Sequence, residues 1–343
     1  VSGVWIFVET LCGDPAQATV VGLGERDKEW ASLTRAVPSK GAYAAAVPAI
    51  TRCVETASNA TVAISGTDDC IVARPALGPQ GTVHGVVLWH GPADAVPASW
   101  PAAAGFDWSS ETREVRLARE LRALLGLDDT RPSITMAEAF QSVIEFDDGA
   151  LGFMSATLRR ASDNKWIGSL TVRTGDGPMP VRTAMRSLSA PDESYWRAVT
   201  FESRRPAVPS TRLVESLALE ALSRNSDTAV ALIDLEKVRI VRWITEPIPN
   251  IAWKGVRDQR DTPHPDDVDR IVTSIRTFYR GSTESDLGRI RLRRLGGGWT
   301  VVDARATLVS VPDGPGLLLA EFRTIGFSDD PDPVPPTDTG YQT

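Results

Sequence analysis

The sequence predicts an α+β protein of three domains, each an antiparallel sheet with flanking helices, and three observations carry that reading. Near the C-terminal end, two strand-like runs, a helical stretch and three further strand-like runs follow one another. Residues 103–203 repeat that order as a divergent internal repeat. The chain of 343 residues is long enough for two or three domains of ordinary size.

Composition narrows the class. Hydrophobic residues make up 42% and charged residues 24%, as in ordinary globular proteins. A net charge of -7 argues against a nucleic-acid groove, which needs clustered Lys and Arg. Cys12, Cys53 and Cys70 are odd in number and widely spaced, which disfavours a disulfide framework or a zinc site and fits a reducing cytoplasm. The sequence has no signal-peptide pattern and no apolar run of membrane-spanning length, so a cytoplasmic location is expected.

Residues 1–98 form the first predicted domain. Val4–Val8 and Ala18–Val21 read as strands, and Gly41–Ser58 as a helix that Pro48 must kink or restart. Thr61–Ser65, Cys70–Arg74 and Val83–Trp89 complete it as three strands, and Gly91–Ala104 reads as a linker. Strand, helix and antiparallel run resemble a small GAF domain.

Residues 103–203 form the second. Phe106–Trp108 and Glu114–Leu117 make an opening hairpin. Leu117, Leu121, Leu124 and Leu125 mark a helix face that stops at Gly126. Thr135-Met136-Ala137-Glu138 is a capping box opening another helix, with Phe140, Val143 and Ile144 inward. Strands are expected at Gly152–Leu158, Trp166–Arg173 and Val181–Leu188. This order resembles a PAS domain. Residues 206–225 follow as a connecting helix, capped by Ser210 or Thr211.

Residues 226–327 form the third. Strands are expected at Ala229–Leu235 and Val238–Trp243, then at Leu287–Leu295, Trp299–Val309 and Leu317–Phe322. Between them, His264-Pro265-Asp266-Asp267 is a helix start, with proline at the first helical position and acids in the first turn. Val268, Ile271, Val272, Ile275, Phe278 and Tyr279 then define one face of a helix of about four turns. The strand order and the His-Pro-Asp-Asp segment resemble a PAS domain again. Residues 328–343 read as a disordered acidic, proline-rich tail.

Candidate chemistry is sparse. Gly22-Leu23-Gly24 lacks the further glycine or Gly-Lys-Ser/Thr ending of a nucleotide loop and reads as a turn. His84 and His90 share a face of one strand if it stays regular, yet no acid or cysteine close in sequence completes a metal set. His264 reads as a helix-start residue. Asp266, Asp267 and Asp269 diverge over one helical turn and favour the helix dipole. Arg289, Arg291 and Arg293 alternate with Ile290 and Leu292, giving one basic, solvated strand face, or a docking surface for an acidic partner. Gly296-Gly297-Gly298 closes the hairpin between two strands.

No catalytic residue, metal ligand or cofactor is expected from these residues. Signatures of histidine kinases, cyclases, phosphodiesterases and helix-turn-helix outputs are absent from the sequence. So are the signatures of cyclic-nucleotide-binding GAF and flavin-binding PAS domains. The whole chain resembles the sensor-only proteins of actinobacteria, in particular the mycobacterial GAF–PAS–PAS plan without an effector. That resemblance implies signal integration and scaffolding, with protein partners and a small molecule in a PAS or GAF pocket. The alternatives are an enzyme with a dispersed active site and an interaction module with no small ligand.

Overall fold

The structure, a computed structural model, describes residues 3–128, 130–146, 154, 157–158, 164–190, 193–203, 228–253, 263–309 and 316–331. The chain divides into two compact units, Val1–Ser210 and Thr211–Thr343.

The first unit opens with β1 (Val4–Glu9), β2 (Thr19–Leu23), β3 (Arg26–Ser32), α1 (Leu33–Ala36) and α2 (Lys40–Thr56). It continues with β4 (Ala60–Ala63), β5 (Asp69–Leu77) and β6 (Val83–Pro92). The strands pair antiparallel in the order β3-β2-β1-β6-β5-β4. Ser39 caps α2 by accepting from the Ala42 N–H, and Ala57 ends it in a left-handed conformation. Ala42, Ala45, Ala46, Ala49, Ile50 and Cys53 face the sheet, and their small side chains let helix and strands approach closely. Pro48 sits on the exposed side, where water can satisfy the carbonyl freed by its missing N–H.

Strand β6 is buried on both faces. Val86 and Leu88 pack on the α2 side, whereas Val87 and Trp89 join Trp5 and Phe7 in a second core. What covers that second face is another sheet. It is built from β7 (Ala103–Ser109), β8 (Glu114–Leu117), α3 (Arg119–Leu124), β9 (Ser133–Thr135), α4 (Met136–Ser142) and β10 (Val143–Phe146). Strands β11 (Lys165–Thr174), β12 (Gly177–Ala190) and β13 (Glu193–Glu202) complete it. The order is β10-β11-β12-β13-β7-β8-β9. Ala184, Val199 and Phe201 meet the first sheet there, with the Phe7 and Phe201 rings 5.4 Å apart. A buried Glu9 adds a polar rivet: its Oε1 accepts from Arg186 Nη2 at 2.8 Å and from the Thr19 hydroxyl.

The second unit holds β14 (Thr228–Asp234), β15 (Arg239–Trp243), α5 (Pro265–Ile275), β16 (Glu284–Arg293), β17 (Trp299–Val309) and β18 (Leu317–Ser328). The order is β15-β14-β18-β17-β16. One feature recurs in all three sheets: the first strand lies beside the last, so an opening run of three, three or two strands abuts a closing run of three, four or three.

The expected fold class needs correction. Strands dominate the described residues, and only α2, with 17 residues, and α5, with 11, among the described helices exceed two turns. In the first unit the two sheets cover each other, which removes the need for a helix on those faces.

Individual elements differ as well. Gly152–Leu158, expected as a strand, is helical at its described residues Met154, Thr157 and Leu158. All three are buried, and their i, i+3, i+4 spacing is a helical stripe. Strand β13 takes the place in the meander that this segment was expected to begin. Ile144 and Val143 lie in β10 rather than in the preceding helix. Helix α5 stops at Ile275, and Tyr279, expected inward, is 70% exposed. The linker Gly91–Ala104 is short and pinned, because β6 runs to Pro92 and Trp100 packs edge-on against Trp5 at 4.7 Å. The tail begins later than expected: β18 runs to Ser328, and residues 329–331 pack on the second unit. The predicted helix at 206–225 lies outside the described residues, as does 332–343. No described helix is long and apolar enough to cross a membrane.

Candidate functional site

Register assembles a polar row that sequence reading missed. Across three neighbouring strands, Arg197 of β13 pairs with Asp107 of β7, and Asp107 pairs with Arg116 of β8. Directly opposed residues share a face, so a carboxylate stands between two guanidinium groups. In the next row Tyr195 opposes Ser109. With Gln80 from the turn after β5, these side chains line a cup of about 170 Å³. The signal lay in the charges embedded in apolar strands, at Asp107 within Phe106–Trp108 and at Arg197 within Trp196–Phe201.

His84 stands behind this row. In β5–β6 pairing Ala76 opposes Gly85 and Leu77 opposes Val83, so His84 is the extra residue of a β-bulge. The bulge breaks the regular alternation that would have put His84 and His90 on one face, and turns His84 toward the second sheet. Its ring fits because Gly78 and Gly105 lack side chains: a Cβ on either would lie 2.1 or 2.5 Å from a ring nitrogen. Nδ1 is 2.9 Å from the Ala198 carbonyl, an acceptor only, so Nδ1 carries the hydrogen. Nε2 of the neutral ring then presents a lone pair, 3.8 Å from Asp107 Oδ1, and has no hydrogen-bond partner among the described residues. Burial pushes the His84 pKa down to about 4. His90 lies apart, 3.9 Å from Asp69. No group of three or more His, Cys, Asp or Glu suited to a metal ion occurs among the described residues.

In the second unit the His-Pro-Asp-Asp segment does more than start a helix. The His264 Nδ1 accepts from the Asp266 N–H, and the buried ring lies 4.4 Å from that of Trp299. Asp267, expected only to favour the helix dipole, is buried and accepts from Arg291. Arg291 also reaches Asp330 at 2.8 Å, and the Trp299 indole N–H donates to the Asp330 carbonyl. Arg293 is buried, with its guanidinium over the Trp299 ring. The expected basic strand face is thus not a free surface, since two of its three arginines are engaged.

Beneath α5 lies a cavity of about 40 Å³. Its described walls, including Ile233, Ile271, Ile275, Ile290, Leu318 and Phe322, are hydrocarbon. An apolar void of that size holds far less than the ~150 Å³ cavity that admits benzene. Of the segment expected as a turn, Gly22 and Leu23 end β2, paired with Asp27 and Arg26, and Gly24 at φ +58° opens the β2–β3 turn.

Comparison with known proteins places this arrangement. A crystal structure of an uncharacterized protein from Mycobacterium tuberculosis superposes with a TM-score of 0.74 at 20% identity, covering 94% of this chain and 96% of that one. An RNA-binding light-oxygen-voltage receptor matches with a TM-score of 0.25 at 12% identity, over 64% of this chain and 94% of its own. The periplasmic sensory domain of the Campylobacter jejuni chemoreceptor Tlp1 gives 0.16 at 10% identity, over 59% and 73%. No curated protein matches the sequence. Residues 4–99 match the Rv3651-like N-terminal domain, and residues 214–322 match the Rv3651-like C-terminal domain. The chain therefore carries both terminal domains of the Rv3651-like family, in family order.

Proposed function

We propose that the protein is a sensor-domain-only signalling protein that integrates signals in the cytoplasm and serves as a scaffold for a separate effector. The observation that carries this reading is that in all three antiparallel sheets the first strand lies beside the last, with the five-stranded sheet of the second unit following the hairpin-and-meander plan of PAS-like sensor modules. GAF-like and PAS-like identities for the individual sheets belong to the same proposal. The mechanism is a population shift, in which a ligand or partner that binds one arrangement better raises its share.

The polar cup in the first unit is the better ligand site, because the apolar cavity in the second is small and its described walls offer no polar group. Native mass spectrometry of the protein purified from its own host, beside a denatured control, tests the proposal. A mass surplus that vanishes on denaturation, together with a protein partner whose occupancy changes when that molecule is removed, is the expected result. A bare chain with neither would overturn it.

A further inference from the structure

On the sheet of the second unit, pairing register sets six charges in two alternating rows. Asp286 of β16, Arg305 of β17 and Glu321 of β18 stand opposite one another in the first row. Arg289, Asp303 and Arg323 form the second. Their neighbours Ile290, Val302, Ala304 and Phe322 belong to the core under α5, so the charges point to the other face. Asp303 is half-buried and the other five are exposed. Of the six, only Asp303 and Arg323 form an ion pair among the described residues, at 3.3 Å.

The signs run acid, base, acid and then base, acid, base. Such a face matches itself. A twofold axis lying across the strands, between the rows, keeps each strand over its copy and exchanges the rows. Asp286 then meets Arg289 of the second copy, Arg305 meets Asp303, and Glu321 meets Arg323. Each contact is made twice, and none joins like charges. A twofold axis along the strands does the opposite, since it lays Asp286 on Glu321 and Arg305 on itself.

The flanks obey the same exchange. Leu319, one row out on β18, meets Ile325, which lies one row out at the other end of that strand and is 42% exposed. Ile325 and the exposed Phe327 rim an open groove of about 510 Å³ that reaches Arg289, Asp303 and Arg323. Three strands and four rows cover roughly 400 Å² per copy, about half of a standard interface.

We propose that this face docks a second copy of the chain, strands antiparallel, as a weak, salt-sensitive twofold dimer. Long arginine and glutamate side chains span the roughly 10 Å between stacked sheets. The dimer needs no ligand and no effector, so it stands apart from the sensor reading.

Sedimentation velocity of the full chain over about a hundredfold concentration range is the test. The average sedimentation coefficient should rise with concentration in about 0.05 M salt, and about 0.5 M salt should weaken the dimer by about tenfold. Glu321→Arg sets base against base in both symmetry-related contacts, and Arg323→Glu sets acid against acid. Each alone should weaken self-association by at least about tenfold. Mixed together, the two variants regain opposite charges at both contacts and should form a heterodimer close in affinity to the natural dimer. If either does not fold, Ile325→Asp, at an exposed position, should also weaken the dimer. A natural chain that stays monomeric, a dimer untouched by these substitutions, or folded variants that fail to associate on mixing would each overturn the proposal.

Discussion

Asp267 and Arg291 clasp helix α5 to strand β16: Asp267 Oδ2 accepts from the main-chain N–H of Arg291 at 2.8 Å and from its Nε at 3.0 Å. Oδ1 accepts from Nη2 of the same arginine at 3.1 Å and from Arg270 at 3.0 Å. One buried carboxylate thus gathers four donors from two elements.

Asp267→Asn keeps the shape but turns an N–H₂ toward those donors. Loss of about 2 kcal/mol from the local opening free energy is expected, from charged hydrogen bonds lost and donors left facing a donor. Hydrogen exchange of the α5 and β16 amides in the full chain reads it. Asp269→Asn, on the exposed side, should change the same amides by less than about 0.5 kcal/mol. Equal effects of the two substitutions would show that the clasp contributes nothing.

Acidification should weaken the first unit through His84. Burial depresses its pKa to about 4 from 6.5, so between those values the unfolded chain binds a proton that the folded chain refuses. Stability is full above pH 6.5 and falls as pH drops toward 4, by up to on the order of 3 kcal/mol. Thermal melts at pH 7.5 and 5 should show a larger drop for the natural chain than for His84→Gln. A drop of the same size would remove His84 as the cause.

In the second unit, burial raises the Asp267 pKa, but hydrogen bonds and charge from Arg291 outweigh that and leave it below the usual carboxylate value. Its stabilisation is therefore present at neutral pH and is lost only as pH falls through the depressed value. The α5 amides should keep their protection at pH 5, where the surroundings of His84 have begun to lose theirs. Loss of α5 protection already at pH 5 would contradict this order.

Gly105→Ala should destabilise the first unit by about 1–3 kcal/mol, because the new methyl group enters the space of the His84 ring. A smaller side chain at position 84 should recover part of that loss. Chemical denaturation of Gly105→Ala, His84→Ser and the double variant forms the cycle, and strict additivity would show that the two residues do not share the space.

Thiol reactivity should separate the cysteines. Cys12 is exposed, whereas Cys53 and Cys70 are buried, and burial pushes the Cys53 pKa up to about 12. One equivalent should react rapidly with a thiol reagent in the native protein and three in denaturant. Rapid reaction of all three in the native state would contradict the burial.

Local chemistry was the most legible part of the sequence. Thr135 and Glu138 form both halves of the capping box read from their spacing, and Trp299–Val309 is the strand expected. Strands β3 and β13 were not legible. The first is a polar edge strand, and the second is buried on both faces around a single arginine, so neither alternates cleanly. The polar row was hidden for another reason. Asp107, Arg116 and Arg197 lie on three strands, and only pairing register brings them together.

The double burial of β6 also sets a clock. Trp5, Phe7, Val87 and Trp89 leave the ribosome before their cover at Val199 and Phe201 has been made. Roughly 110 residues separate Trp89 from Phe201, and at about 5–20 residues per second that interval lasts roughly 5 to 20 seconds. During each round of translation an aromatic sheet face waits uncovered, so slow codons between Trp89 and Phe201 should lengthen the wait, and a nascent-chain chaperone should shield that face.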